Sequence, residues 1–324
     1  MRIVIAIGGN AIIAEHERGT WAEQQANAAA VAAQLATLRA DGHEIVLTHG
    51  NGPHVGALHT QHAHTRADVP ALPFDALVAM TQGQLGYLLQ TAIEQADPQL
   101  PTATVLTRVR VDAHDSSFVR PTKPIGRFFA DERAARAAVS GQLAVAPDAG
   151  RGWRAVVPSP KPQQIVDVSA IKLLLDRGMV VIAAGGGGIP VARGKRSLVG
   201  QQAVIDKDRA SAVLAQAVDA DLLVMLTAVE CVAVDFGTRW QRDMARLTIS
   251  DARELHASGE FPAGSMGPKV ESAITFVQGG GRGAIVTCAE RLRDAIRGTA
   301  GTRLVPDAQG PSATVWSGAG TVAA

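Results

Sequence analysis

Six short apolar runs are spaced along the chain: Ile3 to Ile7, Glu44 to Thr48, Thr104 to Val109, Val180 to Ala184, Leu222 to Thr227 and Ala284 to Cys288. Each is followed by glycine or polar residues and then by a segment of helical pattern. Runs that are apolar on both faces are what a parallel sheet requires when helices cover its two sides. The pattern therefore predicts an α/β fold. Thr20 and Glu23 stand in capping-box spacing ahead of an alanine-rich helix, which Asp41-Gly42 should stop. Between about Asp112 and Ile165 prolines, glycines and charges replace the alternation, so residues 112–165 read as a subdomain inserted in a unit spanning 1–306. Residues 307–324 are small, polar and glycine-rich, and a loose tail is expected there.

With 324 residues, 47% of them hydrophobic, the chain can bury at least one large core. A formal net charge of +1 gives no field to hold it on nucleic acid or an anionic membrane, so a small, weakly charged partner is expected. Gly8-Gly9-Asn10 interrupts the N-terminal apolar run before a secretory h-region forms, and no uninterrupted apolar stretch approaches the ~18 residues of a membrane span. Cys231 and Cys288 fall in segments that read as interior and have neither metal-site nor disulfide spacing. A reducing cytoplasm is the expected compartment.

Four glycine-rich loops follow expected strands: Gly8-Gly9-Asn10, Gly50-Asn51-Gly52-Pro53, Gly185 to Gly188, and Gly264-Ser265-Met266-Gly267-Pro268. Open α/β sheets bind ligands at the carboxyl ends of their strands, where glycine lets backbone N–H groups approach an anion. Each loop alone reads equally as an ordinary tight turn. Gly194-Lys195 lacks the remaining Walker residues, and the glycine tetrad runs into Ile189-Pro190 without dinucleotide spacing.

Of 31 basic residues only six are lysines, which marks each as a candidate for work needing a compact ammonium. Lys207 lies between Asp206 and Asp208 just before a helical stretch, and Lys269 follows Pro268 at another helix start. Cations are misplaced at that end of a helix dipole, unless flanking carboxylates hold them for a purpose. Lys123 sits in the stiff segment Pro121 to Gly126. Solvated charge and a rigid turn are the bland alternatives for these segments. Glycine loops with isolated lysines suit phosphoryl transfer, which depends on positioning and cations more than on covalent help. His59, His62 and His64 lack an evident nucleophilic partner, and His49 beside the second loop suits loop ordering better than acid-base work.

These residues resemble carbamate kinases of the amino acid kinase superfamily, in order from Ile3 to about Val305. The resemblance is carried by Ile7 to Ala11, Thr48 to Pro53, Gln82-Gly83 with Gly86-Tyr87, Pro121 to Gly126, and Gly152-Trp153-Arg154 with Val157 to Pro160. It continues through Gly185 to Val191, Ala203 to Asp208 and Pro262 to Val270. It implies an open α/β/α sandwich with a mostly parallel central sheet and a protruding subdomain. Carbamate would bind toward the N-terminal half and nucleotide toward the C-terminal half. Lys123, Lys207 and Lys269 would surround the transferred phosphoryl group, with Asp208 orienting the lysines. Gly8, Gly9, Asn10, Gly50, Asn51, Gly52, Gly185 and Gly186 would contact carbamate and phosphates. Asp206, Thr227, Ala233, Met266 and Gly267 would face the nucleotide, whether ATP or ADP. Magnesium (Mg2+) would ride mainly on the nucleotide phosphates, with no metal ligand from the protein, and a homodimer is implied.

Other members of the superfamily carry a lysine just before the paired glycines, where this chain has Ile5-Ala6-Ile7, so Lys123 is the natural replacement cation. His54, Ser116, Arg127, Glu230 and Ala233 depart from the usual carbamate kinase pattern, the last two near the expected adenine edge. A kinase of another small carboxylate, or a non-catalytic sensor of carbamoyl phosphate or nucleotide, stays open at this point.

Overall fold

The computed structural model describes residues 1–14, 16–139, 143–148, 152–262, 264–307, 313–317 and 321–323, with only the backbone described for Asn10, Ser317 and residues 321–323. Strand β1 (Arg2–Ile7) leads through a short 3-10 turn to helix α1 (Trp21–Ala40), where Thr20 and Glu23 form the expected reciprocal cap. Strand β2 (Glu44–His49) feeds α2 (Gly52–Thr65), and α3 (Phe74–Ala96) returns the chain to β3 (Thr102–Thr104). After β4 (Arg108–Arg110) come β5 (Lys123–Phe129), α4 (Glu132–Ala138), β6 (Ala144–Pro147) and β7 (Trp153–Val157). The path continues through β8 (Gln164–Ile165), α5 (Val168–Asp176), β9 (Val180–Ile182), β10 (Ile189–Arg193) and β11 (Leu198–Gly200). Then follow α6 (Lys207–Ala217), β12 (Leu222–Leu226), β13 (Val232–Val234), β14 (Arg242–Thr248), α7 (Ile249–Ala257) and α8 (Met266–Gln278). The last elements are β15 (Gly283–Thr287), α9 (Leu292–Arg297), β16 (Thr302–Val305), β17 (Thr314–Ser317) and β18 (Thr321–Ala323).

The main sheet runs β18-β17-β14-β16-β15-β12-β1-β2-β9-β3, with β13 paired to β14. From β15 to β3 every pairing is parallel, while β16 opposes β15 and the remaining edge is mixed. Side chains alternate across a strand, so β1 is shared between two cores. Ile3, Ile5 and Ile7 pack with α1 and α3 on one face. Val4 and Ala6 pack with α5, α6 and α8 on the other. Each buried isoleucine contributes about 1.5–3 kcal/mol, so both helical layers are anchored on the same central strand.

Two expectations are corrected. The run Thr104 to Val109 is not one strand, because Gln82 takes over its backbone: Thr107 N donates to Gln82 Oε1 at 2.8 Å, and Gln82 Nε2 donates to Thr107 O at 3.2 Å. The chain thereby leaves the main sheet, and β4 joins a separate sheet ordered β11-β10-β4-β8. Nor is the tail loose throughout: β17 pairs antiparallel with β14, and Trp316 Nε1 donates to Gly301 O at 2.9 Å. Val315 packs against the core beside α8, so the polar composition around it misleads.

Within the inserted region, β5, β7 and β6 form a small antiparallel sheet over 123–157. This sheet rests on α2 through two glycines. A Cβ added at Gly56 would lie 2.2 Å from the Cα and N of Gly126, so no side chain fits between them. Arg154 fixes the same turn, donating from Nη2 to Gly126 O at 2.8 Å while its guanidinium covers the Phe128 ring. Overpacking of this kind costs about 1–3 kcal/mol. Gly56→Ala is therefore expected to lift the small sheet: trypsin should cut at Arg127 several-fold faster, with the urea midpoint of the main body nearly unchanged. Equal cleavage rates would show that the contact does not seat the sheet.

Candidate active site

The carboxyl ends of the parallel strands meet in one cleft of about 1480 Å³. The chain leaves β1 at Gly8-Gly9, β2 at Gly50-Asn51-Gly52, and β12 at Thr227, and all of these residues line the cleft. The loops interlock without side chains: a Cβ at Gly50 would come within 2.9 Å of Gly9 N. At Gly186, with φ +64°, a Cβ would strike the Asn51 amide at 2.2 Å. That amide is itself held, donating from Nδ2 to Thr81 Oγ1 at 2.9 Å, and Gln82 Nε2 donates to Gly185 O at 2.9 Å. Two residues of α3 thus fix two glycine loops at once.

Helix α6 begins under this floor. Asp206 is its N-cap, its Oδ1 accepting from Asp208 N at 2.9 Å and Arg209 N at 3.3 Å. Ser211 Oγ donates to Lys207 O at 2.7 Å, which leaves Thr48 Oγ1 as donor to Ser211 Oγ at 2.6 Å and ties the first turn to β2. Lys207 Nζ donates to Asp208 Oδ1 at 2.5 Å, and Lys269 Nζ, reaching over from α8, donates to Asp208 Oδ2 at 2.9 Å. A further brace between the two helices runs from Arg209 Nη2 to Glu271 Oε2 at 2.7 Å. From above, Lys123 at the first residue of β5 pairs with Asp206 Oδ2.

Lys207, Lys269 and Asp208 are buried. Burial pushes the Lys207 ammonium down to about 8; Asp208 opposes that shift and Lys269 adds to it. Burial would raise the Asp208 carboxyl, but Lys207 and Lys269 outweigh it and hold the group below its usual range. The same balance holds at Asp206, where Lys123 is the strongest opposing charge. For Lys269, burial would lower the ammonium, yet Asp208 outweighs it and the net shift is upward. Within this cluster three ammonium groups face two carboxylates, an excess of one positive charge on the floor of a partly enclosed, amide-lined space. Such a space favours an anion.

Most residues singled out in the sequence therefore share one site: Lys123, Lys207, Asp208, Lys269, Gly8, Gly9, Gly50, Asn51, Gly52, Gly186, Asp206 and Thr227 all line it. Gly185, Ala233, Met266 and Gly267 are absent from the lining. Gly185 lies behind it against His49, whose Nε2 would be 2.3 Å from a Cβ there, and Ala233 sits within β13 opposite Asp243. The side chain of Asn10 falls outside the described residues. His49 is buried with Nδ1 3.2 Å from Gly50 O, and burial pushes its imidazole down to about 4, so it is a neutral spacer between two loops. His54 is held likewise, 3.0 Å from Gln24 Oε1 and pushed by burial to about 4. The cysteines are part-exposed, not interior, and Cys288 lines the cleft.

Sequence reasoning gave no role to Arg154 and Asp148, which also line the cleft, with Arg154 Nη1 donating to Asp148 Oδ2 at 3.1 Å. A Cβ at Gly264 would sit 3.9 Å from Asp148 Oδ1, so the small sheet reaches from α2 across to the loop before α8. Only the Gly152-Trp153-Arg154 segment hinted at this.

A mostly parallel sheet flanked by helices, with a cation cluster and glycine loops at its strand ends, is an arrangement suited to binding and moving a phosphoryl group. Comparison with known proteins narrows that reading. The family model described as amino acid kinase matches residues 1–288. The carbamate kinase of Thermococcus kodakarensis is 42% identical over 94% of this chain and 99% of its own. A carbamate kinase-like protein of Escherichia coli is 44% identical over 93% and 98%, respectively. The carbamate kinase of Giardia lamblia bound to AMP-PNP superposes with a TM-score of 0.85 at 38% identity, covering 94% of this chain and 98% of that one. The chain belongs to the amino acid kinase family and, within it, to the carbamate kinases.

Because Lys207 is charged only below about 8, affinity of the free protein for inorganic phosphate should hold at neutral pH and fall as pH rises through that value. Asp208 raises the Lys207 ammonium, so Asp208→Asn should move the midpoint lower. Calorimetric titration across pH 6.5–10 would check both; a midpoint unmoved by the variant would separate Lys207 from the binding.

Proposed function

We propose that the protein is a carbamate kinase that transfers a phosphoryl group from carbamoyl phosphate to ADP, yielding ATP and carbamate, and runs reversibly. The observation that carries this reading is the Asp208 bridge, which holds Lys207 and Lys269 side by side in a glycine-lined cleft beneath Lys123. The terminal oxygen of ADP attacks phosphorus while the bond from phosphorus to the carbamate oxygen breaks. Charge spreads over the equatorial oxygens of the moving group, and preorganised cations stabilise it without covalent participation. Lys207 and Lys269 approach that group from the two helix starts, Lys123 from the small sheet, and the amides of Gly8, Gly9 and Gly52 from the strand ends, while the Gly50 amide is spent on Ile7 O at 3.0 Å.

Carbamate fits the side of the cleft formed by the β1 and β2 loops, and nucleotide the side nearer Thr227 and Ala228. Nucleotide binding is supported by the AMP-PNP complex of the Giardia protein. Both acids beside the lysines are already engaged by ammonium groups, which fits magnesium arriving on the nucleotide phosphates instead of on a protein carboxylate. A cytoplasmic homodimer serving arginine breakdown belongs to the same proposal and rests on the resemblance alone.

Purified protein mixed with ADP, magnesium and carbamoyl phosphate should form ATP readily. Lys207→Ala and Lys269→Ala should each lose at least about a hundredfold in kcat/KM, the loss that follows when a few kcal/mol of transition-state stabilisation is removed. Wild-type turnover in both variants would overturn the roles given to the two lysines.

A further inference from the structure

Asp206 presents a puzzle that the reaction alone does not answer. A carboxylate beside a site for phosphate repels the ligand, and capping α6 does not need the charge. Serine, threonine or asparagine caps a helix about as well. The two oxygens of Asp206 are used differently. Oδ1 accepts the amides of Asp208 and Arg209, whereas Oδ2 takes the ammonium of Lys123, 83 positions earlier in the chain. The negative charge is thus directed at Lys123.

Lys123 needs such a partner. Lys207 and Lys269 stand on helices braced by Arg209 and Glu271 and share Asp208. Lys123 stands on a small sheet outside the main one, and its side chain is 26% exposed. A lysine stem carries considerable rotamer freedom, which must be removed before the ammonium can serve a transition state.

We infer that Asp206 is a positioning residue: its Oδ2 holds the Lys123 ammonium over the cleft before substrate arrives, and with it the edge of the small sheet, while Oδ1 fixes that anchor to the helix bearing Lys207 and Asp208. Asp206 therefore ties the Lys123 ammonium to the helix start on which Asp208 holds the other two. The entering phosphoryl group then takes over Lys123 from an oxygen in the same cleft, so the cation travels little. This inference rests on the reading above, in which Lys123 serves the phosphoryl group, and it departs from the expectation that Asp206 faces the nucleotide.

Asp206→Asn keeps the cap and removes the charge. In the ATP-forming assay it should lower kcat by about tenfold or more and leave the KM for ADP within about twofold. In a Lys123→Met background the same substitution should cost nothing further, because residues acting as one unit are not additive. Amide hydrogen exchange of residues 123–157 gives a second readout independent of turnover: it should quicken in Asp206→Asn and Lys123→Met alike, and no more in the double variant. Multiplying losses in the double variant, a raised KM for ADP as the main effect, or unchanged exchange in both single variants would each overturn the inference. Failure of the wild-type protein to form ATP would instead strike the reading of function, leaving the exchange result to stand by itself.

Discussion

The site is organised by a single carboxylate. Asp208 has both oxygens engaged by ammonium groups from different helices, at 2.5 Å and 2.9 Å. Two buried cations close together would repel one another, and removing the shared partner of a buried pair costs about 3–5 kcal/mol. The surroundings serve that carboxylate. Asp206 caps the turn on which it stands, Thr48 and Ser211 tie that turn to β2, and the Arg209–Glu271 pair holds α8 at the distance from which Lys269 reaches it. Strand order places the glycine loops directly above. Fold and site are two descriptions of the same set of constraints.

Much of this was legible in the sequence because it is local. The cap at Thr20 and Glu23, the apolar runs of β1, β2, β9, β12 and β15, and the glycine loops after them are properties of a few neighbouring residues. The lysines stood out for two local reasons, rarity among arginines and placement at helix starts. What the sequence concealed depends on contacts between distant segments. Gln82 interrupts what reads as one strand, and nothing near Thr107 announces it. Likewise the last residues read as loose until β14 provides an edge for β17.

The nucleotide side was the least legible part of the site. Ala233, Met266 and Gly267 came from resemblance, not from chemistry that their own side chains could express, and none of them lines the cleft. Apolar or absent side chains leave little signature of the surface they face. Charged groups such as Lys123 and Lys207 have a stronger one, since a buried ammonium must be paired.

The contact between Gly56 and Gly126 has a mechanical consequence. Two backbones already touching cannot be pressed closer, so the small sheet has a hard stop beneath it. The height of this sheet over the rim of the cleft is thus bounded from below by peptide atoms, and a side chain at position 56 would raise it.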